Sequence, residues 1–335
     1  MLVRLADGSL RTLAEARRLY PDFDITRSWD LPDAPALPGD EDLESYLRRL
    51  GFSDEQMQYV RRSYANATGD DPRYISVEAN RDDMRKFMSN DYRILDGYDC
   101  LLAALADGLD VRLNTVVESV DWSGDGVRVR TTDGQEFEAD KAVVTLPLGV
   151  LQAGRVRFTP ELPAEKQAAI NNLRMGPVIK LVYVFGEPVL PEGIFSFSSD
   201  LNPPIWWSPS FGHAVNGAYV VTGFASGDWA RELLALGEAD ALERGLDSLR
   251  RELNCPDLQP QQAALVNWPD DPFALGGYSV ATPGHADARA ILARPLSKRL
   301  YFAGEATAPN DIAATVHGAY VSGRRAASEV LAGSL

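Results

Sequence analysis

Cysteine is nearly missing from this sequence. Its two copies, Cys100 and Cys255, cannot make a disulfide framework or a thiolate metal site. A reducing compartment, the cytoplasm, and no bound metal are therefore expected. Long apolar runs are missing too. No stretch approaches the ~18 consecutive apolar residues of a membrane helix, and residues 1–10 hold no secretory apolar core. Positive charge is in deficit: 33 Lys and Arg stand against 48 Asp and Glu, a net −15. That argues against a nucleic-acid binder. It suits long-range attraction of cationic small molecules, although solubility alone also explains an acidic surface. No G-x-G-x-x-G turn occurs, and the acidic residue ~20 positions later that holds an adenine ribose is missing with it.

With 335 residues, 45% of them hydrophobic, the chain can bury a large core, and two domains are expected. Residues 1–90 read as mostly helical. Asp7-Gly8 marks a hairpin-like turn, 13–20 have helical spacing, and 32–38 is a loop. Segments 41–50 and 53–67 read as helices, capped by Asp40 and by Ser53 with Glu55 nearby, and 81–87 as a short one. From Asp91 the pattern changes. Gly97 precedes a helix over 98–106. Strands are expected at 111–113, 116–122, 127–131, 136–138 and 141–146, the pair around Asp133-Gly134 forming a hairpin. Pro163 opens a helix. Strands at 175–185, 194–197, 218–224 and 264–268, a long helical region over 228–253 and an extended turn at 276–281 follow. The class is α/β, α+β overall.

The stretch from Arg299 to Leu331 organises the rest. An apolar strand, Leu300 to Ala303, runs into Gly304-Glu305. A polar loop leads to a helix capped by Thr315. Strand, glycine turn and a helix start rich in free N–H groups suit an anionic or electron-rich ligand; an ordinary terminal strand and helix would read the same way. The string YFAGEAT followed by TVHGAYVSGRRAA resembles the C-terminal FAD-binding signature of the flavin amine oxidases. Other pieces agree, in the family's order. They are Gly97-Tyr98, LNTVV at 113–117, VTLPLGVL at 144–151, FTPELP at 158–163 and WPDDP at 268–272 followed by Gly276-Gly277-Tyr278-Ser279. The 144–151 segment is similar to the polyamine-oxidase and histone-demethylase branch. The likeness runs from about Asp91 to the C-terminus and is weak before it.

The resemblance implies a Rossmann-like FAD-binding half, 91–152 with 294–335, and a mixed-sheet, helical substrate half, 1–90 with 153–293. It implies an oxidoreductase that takes a hydride equivalent from an amine onto flavin, with O2 as reoxidant. The substrate would be a primary or secondary amine or a polyamine. Val117, Pro147, Trp268, Gly304, Glu305, Thr315 and Val316 would line FAD. Lys180 would hold a water against the flavin, unless it is simply an edge or outward-facing lysine. Tyr278 would form one wall of an aromatic cage, with Thr315 replacing the opposite aromatic; Tyr278 and Trp268 also read as core aromatics. Gly277 stands where monoamine oxidases carry the cysteine that bonds flavin, so non-covalent FAD is implied. His317 reads as a polar residue at the helix start.

The missing glycine turn departs from the family pattern. A separate small subunit supplying it, making a hetero-oligomer, a truncated product, or a homologue that has lost flavin are three readings that stay open. Enzyme activity is expected of an assembly rather than of this chain alone. A non-catalytic scaffold, or an L-amino-acid oxidase using Arg81, Arg85 or Arg93 for a carboxylate, are the alternatives.

Overall fold

The computed structural model describes residues 2–4, 10–12, 15, 18, 39–80, 94, 97–212 and 217–333. The expected helix over 13–20, apart from Glu15 and Arg18, the expected helix over 81–87, the turn at Asp7-Gly8, the loop over 32–38, and Arg81, Arg85 and Arg93 lie outside the described residues. The strands, in chain order, are β1 (Leu2–Arg4), β2 (Leu10–Thr12), β3 (Val117–Asp121), β4 (Val127–Thr131), β5 (Glu136–Ala139), β6 (Ala142–Val144), β7 (Arg157–Thr159), β8 (Leu173–Met175), β9 (Val178–Phe185), β10 (Ser196–Ser198), β11 (Ile205–Trp207), β12 (Tyr219–Ser226), β13 (Gln262–Asn267), β14 (Ser279–Ala281) and β15 (Leu300–Phe302). They form a seven-stranded mixed sheet, β13-β9-β12-β11-β10-β1-β2, and a four-stranded sheet, β5-β4-β3-β7. Two pairs stand beside them, β14-β8 and the parallel pair β15-β6. The molecule is α+β.

Three apolar clusters fill it. In β9, Ile179, Leu181, Tyr183 and Phe185 alternate inward and pack under the helices Gly227–Leu234 and Glu238–Leu253. Leu43, Tyr46, Met57, Tyr64 and Val77 close a small helical core that also receives Val280 of β14. Val144, Leu148, Leu300 and Phe302 join Ala169, Ile170 and Leu292 around the β15-β6 pair.

Several local expectations are corrected. Asp42, not Asp40, caps Leu43–Arg49, accepting from the Ser45 N–H. Asp40 instead accepts from Ser76, Glu78 and Gly284. Ser53 forms its capping box with Gln56, and the expected helix over 53–67 widens into a π turn, Arg61–Ala65. Residues 111–113 are not a strand. Gly176-Pro177 divides 173–185 into β8 and β9, because proline offers no N–H to a ladder. Gly237, at φ +83, breaks the 228–253 region into two helices. Ile205–Trp207 is itself a strand, and Ser279–Ala281 is strand rather than turn.

One buried lysine stitches the third cluster. Lys166, on the helix Ala164–Asn172, is 3% exposed. Its ammonium donates to the carbonyls of Leu292 and Arg294 at 2.7 Å and of Ile291 at 3.3 Å. Those carbonyls lie at the C-terminal end of the helix Ala288–Ala293 and just beyond it, where the ladder runs out of donors; that of Ile291 also accepts from the Arg294 N–H. Burial, then the nearby Arg294 and Arg325 charges, push the Lys166 pKa down to about 7. The folded chain thus binds less proton here than the unfolded one between that value and the ordinary lysine range, so stability rises with pH across this window. Lys166→Met should flatten that rise and, by leaving carbonyls unpaired, cost about 1–3 kcal/mol at pH 7. Denaturant titrations of both proteins from pH 6 to about pH 10 check it; parallel slopes would refute the assignment.

Candidate active site

β15 delivers Gly304 to the surface of the parallel pair. Gly304 has φ +114, a conformation that favours glycine, and its N–H donates to Ser322 Oγ at 2.9 Å. Glu305 follows. Its carboxylate accepts from the Ser279 N–H at 3.1 Å, the Ser279 hydroxyl at 2.6 Å and the Ala314 N–H at 2.9 Å. One side chain therefore joins β14, the turn after β15 and the loop before the helix Val316–Ala332. Thr315 caps that helix: its hydroxyl accepts from the Gly318 N–H at 2.9 Å and donates to the Ile312 carbonyl at 2.6 Å. The first-turn N–H groups of Val316 and His317 lie outside the helical ladder. Both residues are exposed.

Beneath this turn lies a hollow of about 310 Å³. Pro147, Trp268, Gly277, Gly304, Glu305 and Ala319 are among its walls. That volume is at the lower end of the ~300–1,000 Å³ of ligand pockets, enough for a flat ring and not for a whole dinucleotide. The lining is mainly apolar, with the Glu305 carboxylate fixed at one side. These features fit the isoalloxazine end of a flavin: a walled slot, a glycine turn and a helix start. A Cβ at Gly277 would stand 2.4 Å from Val178 Cβ, so position 277 admits no side chain without moving β9.

The remaining expected residues lie around the hollow rather than in it. Tyr278 follows Gly277. Its hydroxyl donates to the Ala67 carbonyl at 2.7 Å, and burial, then the Glu305 charge, raise its pKa. Lys180 is central, on β9 between β12 and β13, and so not at a sheet edge. It faces away from the helix-covered core, opposite Phe224 and Val266. Its ammonium lies 5.9 Å from the Trp207 ring centroid, and burial alone lowers its pKa. Among the described residues no carboxylate pairs with it. Val117 sits apart, half-buried on β3.

Trp207 and Phe224, whose rings are 5.9 Å apart, are aromatic neighbours of Lys180 that sequence reasoning did not assign to the site. The signal was the dipeptide Trp206-Trp207: in a strand one ring goes to the core and the next to the opposite face, and Trp206 is the fully buried one. No group of His, Cys, Asp and Glu among the described residues could hold a metal. No described helix is long and apolar enough to cross a membrane.

The chain is similar to known proteins. The family described as flavin containing amine oxidoreductase matches residues 4–331. Polyamine oxidase 4 of Oryza sativa subsp. japonica is 33% identical over 302 residues, 90% of this chain and 61% of that protein. Lysine-specific histone demethylase 2 of Homo sapiens is 28% identical over 345 residues, 92% of this chain and 40% of that protein. The chain thus spans less than two thirds of either. Among solved structures, wild-type putrescine oxidase bound to putrescine superposes with a TM-score of 0.81 at 18% identity, covering 99% of this chain and 80% of that one. Cyclohexylamine oxidase from Brevibacterium oxydans IH-35A gives 0.74 at 16% identity, covering 98% and 79%. At these identities the structural matches speak for the fold.

The Glu305 bonds can be tested directly. Hydrogen bonds to a charged acceptor contribute about 1.5–3 kcal/mol each, and glutamine would turn an N–H toward one of the present donors. Glu305→Gln should therefore lower stability by about 2 kcal/mol or more, read by denaturant unfolding. Unchanged stability would show that the carboxylate does not hold these segments together.

Proposed function

The chain belongs to the flavin-containing amine oxidoreductase family, and on that premise we propose that it oxidises a primary or secondary amine, a polyamine by preference, to the imine. FAD, when bound, supplies the hydride acceptor, and dioxygen is the final oxidant. The observation that carries this reading is the hollow in which Pro147, Trp268, Gly304 and Glu305 meet under the start of the helix Val316–Ala332. The family relation to a polyamine oxidase supports the substrate class.

Each residue then has a task. The N–H groups at Val316 and the positive helix end stabilise negative charge at the flavin ring. Gly304 and Glu305 would help hold the phosphate-bearing part of FAD, and Val117 would contact its adenine. The Tyr278 ring orients the amine and strips water from it. Lys180, with a lowered pKa and no carboxylate partner among the described residues, holds a water or proton beside the reacting atoms. Gly277, closed to side chains, leaves FAD non-covalent. The net charge of −15 draws cationic amines toward the site.

The same reading divides the chain into an FAD-binding part, 91–152 with 294–335, and a substrate part, 1–90 with 153–293. The parallel β15-β6 pair supports it by joining the two FAD-part stretches. Tyr98, Leu102, Leu105, Val143 and Tyr320 are exposed. We propose that such apolar surface receives the segment carrying the pyrophosphate-binding turn, on a separate subunit or otherwise. FAD added to the chain alone should accordingly bind weakly.

Three outcomes are expected. Acid precipitation of the FAD-loaded protein should leave all flavin in the supernatant; flavin in the pellet would contradict non-covalent binding. Mixing the loaded protein with putrescine or spermidine without oxygen should bleach the visible flavin absorbance. Lys180→Met should slow that bleaching or the reoxidation by about 10²-fold while unfolding normally. Turnover like that of the wild type would remove Lys180 from the mechanism.

A further inference from the structure

The Asp70 side chain is 0% exposed, and no task named so far uses it. It follows the π turn Arg61–Ala65 and the short helical turn Asn66–Thr68. π turns insert a residue into a helix and often mark functional sites. Gly69, at φ +104, then reverses the chain. The Asp70 carboxylate is held from two directions. Arg174 Nε of β8 donates at 2.8 Å, and Arg231 Nη2 of the helix Gly227–Leu234 donates at 3.1 Å. The Asp71 N–H adds a third bond at 2.9 Å.

This clasped turn lies against Tyr278. The Ala67 carbonyl accepts the Tyr278 hydroxyl at 2.7 Å. The ring packs on bare backbone, since a Cβ at Gly69 would stand 2.5 Å from Tyr278 Cε2. The Tyr278 carbonyl accepts from the Gly176 N–H at 2.9 Å, just beyond β8. Asp70 thus ties one turn to the strand pair that carries Tyr278 and to the helix that follows β12, whose Phe224 faces Lys180. A carboxylate buried between two arginines is costly to desolvate and adds little net stability over an apolar filling. What it supplies is a fixed geometry.

We propose that Asp70 is a positioning residue for amine oxidation: through the 66–71 turn it fixes the Tyr278 ring, and the fixed ring sets the orientation of the bound amine relative to Lys180. The inference rests on the reading that Tyr278 faces the substrate, and the test separates the two. The protein is labelled with 3-fluorotyrosine, and the resonance of position 278 is assigned by its loss in Tyr278→Phe. Asp70→Asn should shift or broaden that fluorine resonance. Arg231→Gln, a half-exposed partner whose loss the fold tolerates more easily, should move it in the same way. In the FAD-loaded protein, Asp70→Asn should lower kcat/KM for putrescine by on the order of 10- to 100-fold. In a Tyr278→Ala background the same change should cost less than about twofold, because both act as one unit. A position-278 resonance unmoved in both Asp70→Asn and Arg231→Gln overturns the positioning. Additive losses in the cycle overturn its route through Tyr278. An FAD-loaded wild type, supplied with the segment that carries the pyrophosphate-binding turn, that oxidises no amine overturns the functional reading, while the fluorine resonance still decides whether Asp70 fixes the ring.

Discussion

The site depends on one largely buried carboxylate, Glu305. Glu305 accepts hydrogen bonds from β14 and from the loop before the last helix, and it stands on the turn after β15. β14 and β15 belong to different sheets, and apolar contact between such segments fixes distance poorly. A charged acceptor with three N–H and O–H donors fixes both distance and angle. Arg325 extends the same brace, donating to the Phe302 carbonyl at 2.8 Å and to Thr307 at 3.1 Å from inside the helix. The hollow keeps its shape because its walls are bonded to one another around it.

Two lysines, Lys166 buried and Lys180 half-buried, differ in what their ammonium groups meet. Both lose proton affinity to desolvation. Lys166 gives its protons to carbonyls at a helix end and lies 3.9 Å from the Phe302 ring centroid. Every direction of its ammonium is used, which makes it a structural cap. Lys180 has the Trp207 ring near it and, among the described residues, no carboxylate partner. A half-buried ammonium without a compensating acceptor is costly. The difference between the two lysines is one of partners.

Aromatic geometry follows from strand alternation. In β11, Trp206 enters the helix-covered core and stacks near Phe197, while Trp207 turns to the face of Lys180. The seven-stranded sheet is thus two-sided. One side is sealed by the helices Gly227–Leu234 and Glu238–Leu253, and the other presents Lys180, Trp207 and Phe224. That second face is aromatic and half-buried.

The sequence by itself determined the local devices and their family. The strand at 300–302, the Thr315 cap, the hairpin around Asp133-Gly134 and the order of the oxidase motifs were legible, because each depends on residues near one another in the chain. Their neighbours in space were not. Nothing in the string links Glu305 to Ser279, Lys166 to the carbonyls of 291–294, or Asp70 to Tyr278 across more than two hundred positions. The choice of Asp42 over Asp40 as a cap was equally hidden, since Asp40 is occupied by Ser76 and Gly284 from distant segments. The break at Gly176-Pro177 was written in the residues, yet it was the pairing of β8 with β14, apart from β9, that gave it meaning. Short-range hydrogen bonds and alternation fix elements; only the packing of those elements decides which buried charge meets a partner and which is left facing the site.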